Sequence, residues 1–184
     1  MAVVRAAQGW ERVIGGTVPP VLRPLMATVG LAVTGQYVVL AFFAIYAVRE
    51  LPISTGRAGL AFAAATCVAL AAGPAGGALS DRLGRRRVIA AGLALQAGAC
   101  LALLACGPRP VPAFAAFTAF SCALTLRWAA QQALVADLVG DGARDQAFAV
   151  MRTVFNVGAS LGPLLGAGLV LLGWPAVCAG ALAL

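Results

Sequence analysis

Residues 24–48 read PLMATVGLAVTGQYVVLAFFAIYAV, 25 consecutive side chains without a formal charge, closed off by Arg23 and Arg49. A hydrocarbon core about 30 Å thick is crossed by roughly 20 apolar residues in a helix. Only a helix or a closed barrel satisfies its own backbone in lipid, and a run this long and unbroken has no two-residue alternation, so it reads as a helix. Working outward, the same punctuation recurs. Arg57 and Asp81 enclose 23 uncharged residues, Arg87 and Arg109 enclose 21, and the last 32 residues from Thr153 carry no charge. These runs predict spans near 24–48, 58–79, 88–106 and 153–172. A further span fits 111–138, interrupted by Arg127 and ending at Asp137. Gly173-Trp174-Pro175 opens a sixth, at 174–184, whose 11 residues reach only about 16 Å. That shortness points to a fragment or a truncated reading frame.

Composition agrees. Of 184 residues 62% are hydrophobic and 10% charged, against about 25% charged in soluble domains. So few charges cannot clothe a water-soluble globule. The net charge of +7 comes from 13 Arg with no Lys, and these sit at the ends of apolar runs rather than on one basic face. Nucleic acid is therefore excluded as a partner, and the lipid bilayer is implied. The five cysteines lie in or beside apolar runs, with no CxxC pair and no His in the chain. They read as small packing residues, so no metal site and no cofactor is expected.

The arginines also orient the chain. With a cytoplasmic N-terminus, inner segments hold nine (Arg5, Arg12, Arg23, Arg82, Arg85, Arg86, Arg87, Arg144, Arg152) and outer loops three (Arg49, Arg57, Arg109). This obeys the positive-inside rule. The inner turns are then Asp81–Arg87 and Val139–Ala147, the outer ones Arg49–Arg57, Gly107–Val111 and Gly173–Pro175. Residues 1–23 form a cytoplasmic segment. Its first 22 residues do not make a signal peptide, and a short interfacial helix carrying Arg5, Trp10 and Arg12 fits there.

Between the second and third spans the chain reads Gly77-Ala78-Leu79-Ser80-Asp81-Arg82-Leu83-Gly84-Arg85-Arg86-Arg87. Gly77 suits a close helix approach, Asp81 ends a span at water, Gly84 suits a sharp turn, and Arg82 to Arg87 anchor in headgroups. The segment resembles the G-x-L-x-D-R-x-G-R-R signature of the major facilitator superfamily. A second stretch, Gly158-x3-Gly162-Pro163-Leu164-Leu165-Gly166, puts glycines at i, i+4 and i+8 on one helix face, with a proline that bends it. It resembles the G-x3-G-P-x2-G motif of drug/proton antiporters in that superfamily. Weaker likeness runs through Ala44-Ile45-Tyr46, Leu51-Pro52-Ile53-Ser54, Gly59 and Arg152-x3-Asn156.

The resemblance covers about 24–184 and implies an all-α integral membrane fold, the N-terminal six-helix half of a twelve-span transporter with its sixth helix truncated. It implies that Gly77, Asp81, Arg82, Gly84, Arg85 and Arg86 form an inner-loop element that helps hold one state of alternating access. Asp137, at the inner end of the fourth span, is the acidic partner it supplies for Asp81 and Arg85. It further implies that the Gly158, Gly162, Pro163 and Gly166 face packs on the missing C-terminal half. In this half alone that face would then meet lipid or associate non-natively.

Arg127 lies inside the fourth span. The efflux branch carries R-x-x-Q-G in this helix, whereas the chain has Arg127-Trp128-Ala129-Ala130-Gln131-Gln132, with the Gln one residue late and the Gly missing. Two readings stay open for Arg127: an intramembrane functional charge, or one that snorkels to the inner headgroups or pairs structurally. Gln36, Tyr37, Arg127, Gln131 and Asn156 are the candidate substrate-cavity residues, with helix-to-helix hydrogen bonding as the alternative for each. No Asp, Glu or His sits in the middle of any span, so a proton carrier is not supplied by these residues. The expected function is transmembrane transport of a small molecule by alternating access, in the direction of efflux, across the plasma membrane. A structural or regulatory homo-oligomer, or an importer of sugars or organic acids, are the rival readings. An enzyme is not expected, because the spans hold no paired acids and no metal-ligand cluster.

Overall fold

A computed structural model describes residues 22–184, and the interfacial helix expected around Trp10 lies outside them. Six α-helices follow one another: α1 (Arg23–Arg49), α2 (Thr55–Leu83), α3 (Arg85–Ala105), α4 (Pro110–Leu138), α5 (Arg144–Val170) and α6 (Trp174–Ala183). A 3-10 turn, Asp141–Ala143, precedes α5. The first five helices are long and apolar enough to cross a membrane. At about 1.5 Å per residue, the ten residues of α6 reach only part of the way. Proline in the first turn starts α1, α4 and α6, where its missing N–H costs nothing. The Ser54 hydroxyl caps α2 by accepting from the Arg57 amide.

Two expected loops shrink. The 81–87 turn is reduced to Gly84, whose φ of 92° lies in the left-handed region, so Asp81 belongs to the last turn of α2. The 139–147 turn is shortened as well, because α5 begins at Arg144 rather than near Thr153. Charges end an apolar run, but they do not end a helix. Backbone hydrogen bonding continues to favour the helix while arginine side chains extend toward polar surroundings.

Three pairings dominate the bundle, α3 with α4, α1 with α5 and α2 with α4; α2 also touches α3, and α6 fits against α1, α3 and α5. Exchanging α1 with α4, α2 with α5 and α3 with α6 maps these pairings onto one another, the pattern of a 3+3 repeat. Glycine makes the α1–α5 and α2–α4 pairings possible. A Cβ on Gly162 would come within 2.6 Å of the Tyr37 Cβ and 2.7 Å of the Thr34 carbonyl oxygen of α1. A Cβ on Gly76 would come within 2.6 Å of the Leu126 Cα in α4. Each contact lies beside a Gly-Pro step, Gly73-Pro74 in α2 and Gly162-Pro163 in α5.

The glycine face of α5 therefore corrects the expectation of a lipid-facing or cross-half surface. Gly158, Gly162 and Gly166 are buried. Gly158 faces Gly30 and Val33, and Gly166 faces the Phe42 ring. Small residues allow backbones to approach, and the nearest available backbone is α1 of the same half. Pro163 sits within this helix without ending it. The close approach expected at Gly77 is likewise corrected: a Cβ there would meet nothing within 4 Å, and Gly76 takes that role.

Two apolar clusters mark opposite ends. At the α6 end, Phe43 stacks on Phe117 at 4.2 Å and Tyr46 on Trp174 at 4.4 Å, with Cys100, Cys106 and Cys178 buried alongside. The Tyr46 hydroxyl donates to the Gly107 carbonyl at 2.7 Å. At the Arg85 end, Leu22 and Met26 of the α1 entry pack with Val135, Val139, Val150 and Met151.

Candidate functional site

At the Gly84 corner, helix geometry brings one cation between two anions. Asp81 and Arg85 are four residues apart across the break, and Asp137 comes from the last turn of α4, which packs against both α2 and α3. Arg85 Nε donates to Asp137 Oδ2 at 3.1 Å. Its Nη1 donates to Asp81 Oδ1 and to Ser80 Oγ, the latter at 2.6 Å. Ser80 is buried and donates in turn to the Gly77 carbonyl at 2.8 Å. One guanidinium thus joins the ends of α2, α3 and α4. Asp81 and Asp137 keep side-chain exposures of 64% and 56%, so the carboxylates stay hydrated. Ion pairs this exposed contribute little to stability, and the arrangement suits a junction that opens and recloses. Arg82 and Arg86 are exposed and take no part in it. Ser80 was missed by sequence reasoning, although it lies next to Asp81 within the quoted motif.

A second polar group is buried in the bundle. Arg127 of α4 is 1% exposed, so it does not snorkel to a headgroup. Its Nη1 reaches Gln131 Oε1 one turn on, and its Nη2 reaches Gln36 Oε1 of α1, both at 3.3 Å. Gly92 of α3 makes room, since a Cβ there would lie 3.0 Å from the Arg127 Cβ. Among the described residues no carboxylate forms an ion pair with Arg127. The structure brings together Gln36, Arg127 and Gln131, but not the remaining two candidates. Tyr37 packs edge-on against Phe155, ring centroids 5.8 Å apart. Asn156 lines a separate open hollow of about 750 Å³ between α4 and α5, with Trp128, Gln132, Asp145, Arg152 and Phe155. Gln96 of α3 was passed over as a candidate. It is buried, its Oε1 has no partner, and it shares a cavity of about 130 Å³ with Gln36. Its signal was an amide within an otherwise apolar span.

Chemically, neither group supplies a nucleophile with a base. The first can latch and release helix ends, and the second places a fixed positive charge inside the membrane. A family model described as Major Facilitator Superfamily matches residues 25–184. The chain is also 35% identical over 138 residues to a Na(+), Li(+), K(+)/H(+) antiporter of Planococcus maritimus, covering 73% of this chain and 32% of that protein. The chain thus spans about a third of the length of this relative.

Proposed function

Because the chain belongs to the Major Facilitator Superfamily, we propose that this multi-pass membrane protein forms one half of an alternating-access transporter that moves a small molecule out of the cell. The observation that carries the reading is the Asp81–Arg85–Asp137 cluster. It ties three helix ends together at one face of the bundle through hydrated, breakable ion pairs. A rocking transporter needs such a junction, closed in one state and open in the other. The arginine asymmetry supports placing that face in the cytoplasm of a cell bounded by the plasma membrane, with the N-terminus on the same side. A second half, on the same longer chain or a separate one, completes the transporter.

The relative's name favours a narrower second reading, export of monovalent cations in exchange for protons. The buried charge of this half is Arg127, which repels cations. In that reading the carboxylates that bind the cation come from the second half.

Everted vesicles from cells expressing the whole reading frame that contains residues 1–184 test both readings. Quenching and dequenching of a pH-sensitive dye on adding Na+ or K+ reports cation/proton exchange. Energy-dependent uptake of a fluorescent organic dye into the vesicles reports efflux of larger substrates. Asp81→Asn should lower the flux more than it lowers the amount of inserted protein. Absence of both fluxes at normal insertion refutes efflux, and an unaffected Asp81→Asn variant refutes the role of the junction.

A further inference from the structure

We infer that the open hollow between α4 and α5 is a binding site for an aromatic organic anion, a ring system bearing a carboxylate or sulfonate. The hollow holds about 750 Å³, the size of a site for a drug-sized molecule. On α5 it is lined by Asp145, Phe148, Arg152, Phe155 and Asn156, at i, i+3, i+7, i+10 and i+11, which is one face of the helix. Trp128 and Gln132, one turn apart on α4, line it from the other side. At about 1.5 Å per residue, Arg152 lies about 12 Å and Asn156 about 18 Å from the start of α5. The hollow therefore reaches from the Arg85 end to the middle of this 27-residue helix.

Three observations select the ligand. The first is unused hydrogen-bonding capacity. Among the described residues, the side chains of Gln132, Asp145, Arg152 and Asn156 have no hydrogen bond and no ion pair with the protein. Arg152 keeps its whole guanidinium fork, which matches a carboxylate or sulfonate through two parallel N–H···O bonds. The amides of Gln132 and Asn156 add further N–H donors. The second is ring surface. Trp128 and Phe155 meet at 4.9 Å between centroids, and with Phe148 they remain half-buried, so ring surface is left for an aromatic ligand to stack on. The third is the order of the charges. Such rings also attract organic cations, and Asp145 would favour one. Asp145, however, stands in the first turn of α5, where the helix N-terminus favours a carboxylate without any ligand. It lies about 10 Å along the axis from Arg152, roughly a Debye length, at the rim of the hollow. Arg152 gains nothing from that helix end, and it sits one turn from both Phe148 and Phe155. A cation laid on these rings meets the guanidinium, whereas an anion pairs with it. An α-amino acid is excluded as well, because its two charges are too close together to reach Asp145 and Arg152 at once. As the substrate class of the exporter, this assignment rests on the function proposed above. Binding is measured on this half without transport, so a chain that binds the anion but supports no flux refutes the export reading and leaves the site standing.

The test is equilibrium dialysis of the purified 184-residue chain in detergent micelles against protein-free micelles. Three radioactive probes share one ring system and differ in charge: naphthoate, naphthamide and naphthylmethylammonium. One naphthoate should bind per chain, saturably, and about tenfold more tightly than either other probe. Arg152→Gln should weaken naphthoate binding by about tenfold to a hundredfold and leave naphthamide binding within about twofold. Phe155→Leu should weaken all three probes several-fold and locates the site if Arg152→Gln does not fold. Asp145→Asn should tighten naphthoate binding by about twofold or less, the effect of one charge at that separation in water. Absence of saturable naphthoate binding, or naphthoate binding unchanged in Arg152→Gln or in Phe155→Leu, overturns the site. Equal binding of the three probes, or tighter binding of the ammonium probe, overturns its assignment to an anion.

Discussion

Gly162→Ala is the sharpest perturbation of the α1–α5 pairing. The added methyl would lie 2.6 Å from the Tyr37 Cβ and 2.7 Å from the Thr34 carbonyl oxygen, whereas carbon atoms in contact sit at about 3.5–4.0 Å. The helices must separate by about 1 Å. The Thr34 contact is backbone, so no rotamer change relieves it. Overpacking of this kind costs about 1–3 kcal/mol, and a gap of this size forfeits a quarter to a half of each neighbouring contact. We place the penalty at about 2–3 kcal/mol, offset by about 0.5–1 kcal/mol of helix propensity gained from Gly to Ala. The net loss of about 1–2.5 kcal/mol should lower the melting temperature by about 2–10 °C. Unfolding is followed with a thiol-reactive fluorophore in a Cys67→Ser, Cys122→Ser background, because Cys67 is exposed and Cys122 half-buried while Cys100, Cys106 and Cys178 are buried. Gly168→Ala in the same helix is the control, since its Cβ would meet nothing within 4 Å, and it should be neutral or slightly stabilising. If Gly162→Ala melts at or above Gly168→Ala, α5 does not pack on α1 through its glycines.

Gly84→Ala places a Cβ on a residue with φ of 92° and ψ of 140°. A sparsely populated conformation of this kind costs about 1–3 kcal/mol, and the loss should appear in the same melting assay, whereas Gly77→Ala should leave it unchanged. Tyr46→Phe removes the 2.7 Å bond to the Gly107 carbonyl and should cost about 0.5–1.5 kcal/mol; a variant as stable as the parent would mean that water replaces the hydroxyl there. For topology, Arg86→Cys and Arg109→Cys in a cysteine-free chain should be labelled by an impermeant maleimide from the cytoplasmic and external sides respectively. Labelling of Arg86→Cys from outside the cell would reverse the orientation.

Much of the charged junction was legible before any coordinates. Asp81 and Arg85 stand on either side of a single-residue turn at Gly84, and so short a connection keeps two side chains four residues apart within reach of one another. Asp137 was reachable only through the resemblance, because its 52-residue separation from Arg85 is bridged by packing of α4 along α2 and α3. Ser80 needed the structure as well. A hydroxyl reads as neutral in a sequence, and its role follows from being buried beneath the guanidinium. Tyr37 and Asn156 were polar residues in apolar spans like Gln36 and Gln131, and pattern alone could not separate those facing Arg127 from those facing the α4–α5 hollow.

By itself the sequence determined that this protein lives in lipid as a bundle of helices. Runs of 21 to 25 uncharged residues between charged ones leave the backbone no other way to satisfy its hydrogen bonds across a bilayer. It also marked Gly84 as a residue suited to a sharp turn between the second and third helices. Only the tertiary structure decided which helix each small-residue face would meet. In a membrane the apolar surfaces of all helices are equivalent to lipid, so partner choice rests on shape and close approach rather than on hydrophobicity. That is why the Gly158–Gly162–Gly166 face seats on α1, why Gly76 rather than Gly77 touches α4, and why Arg127 is enclosed by amides from two helices instead of reaching the headgroups.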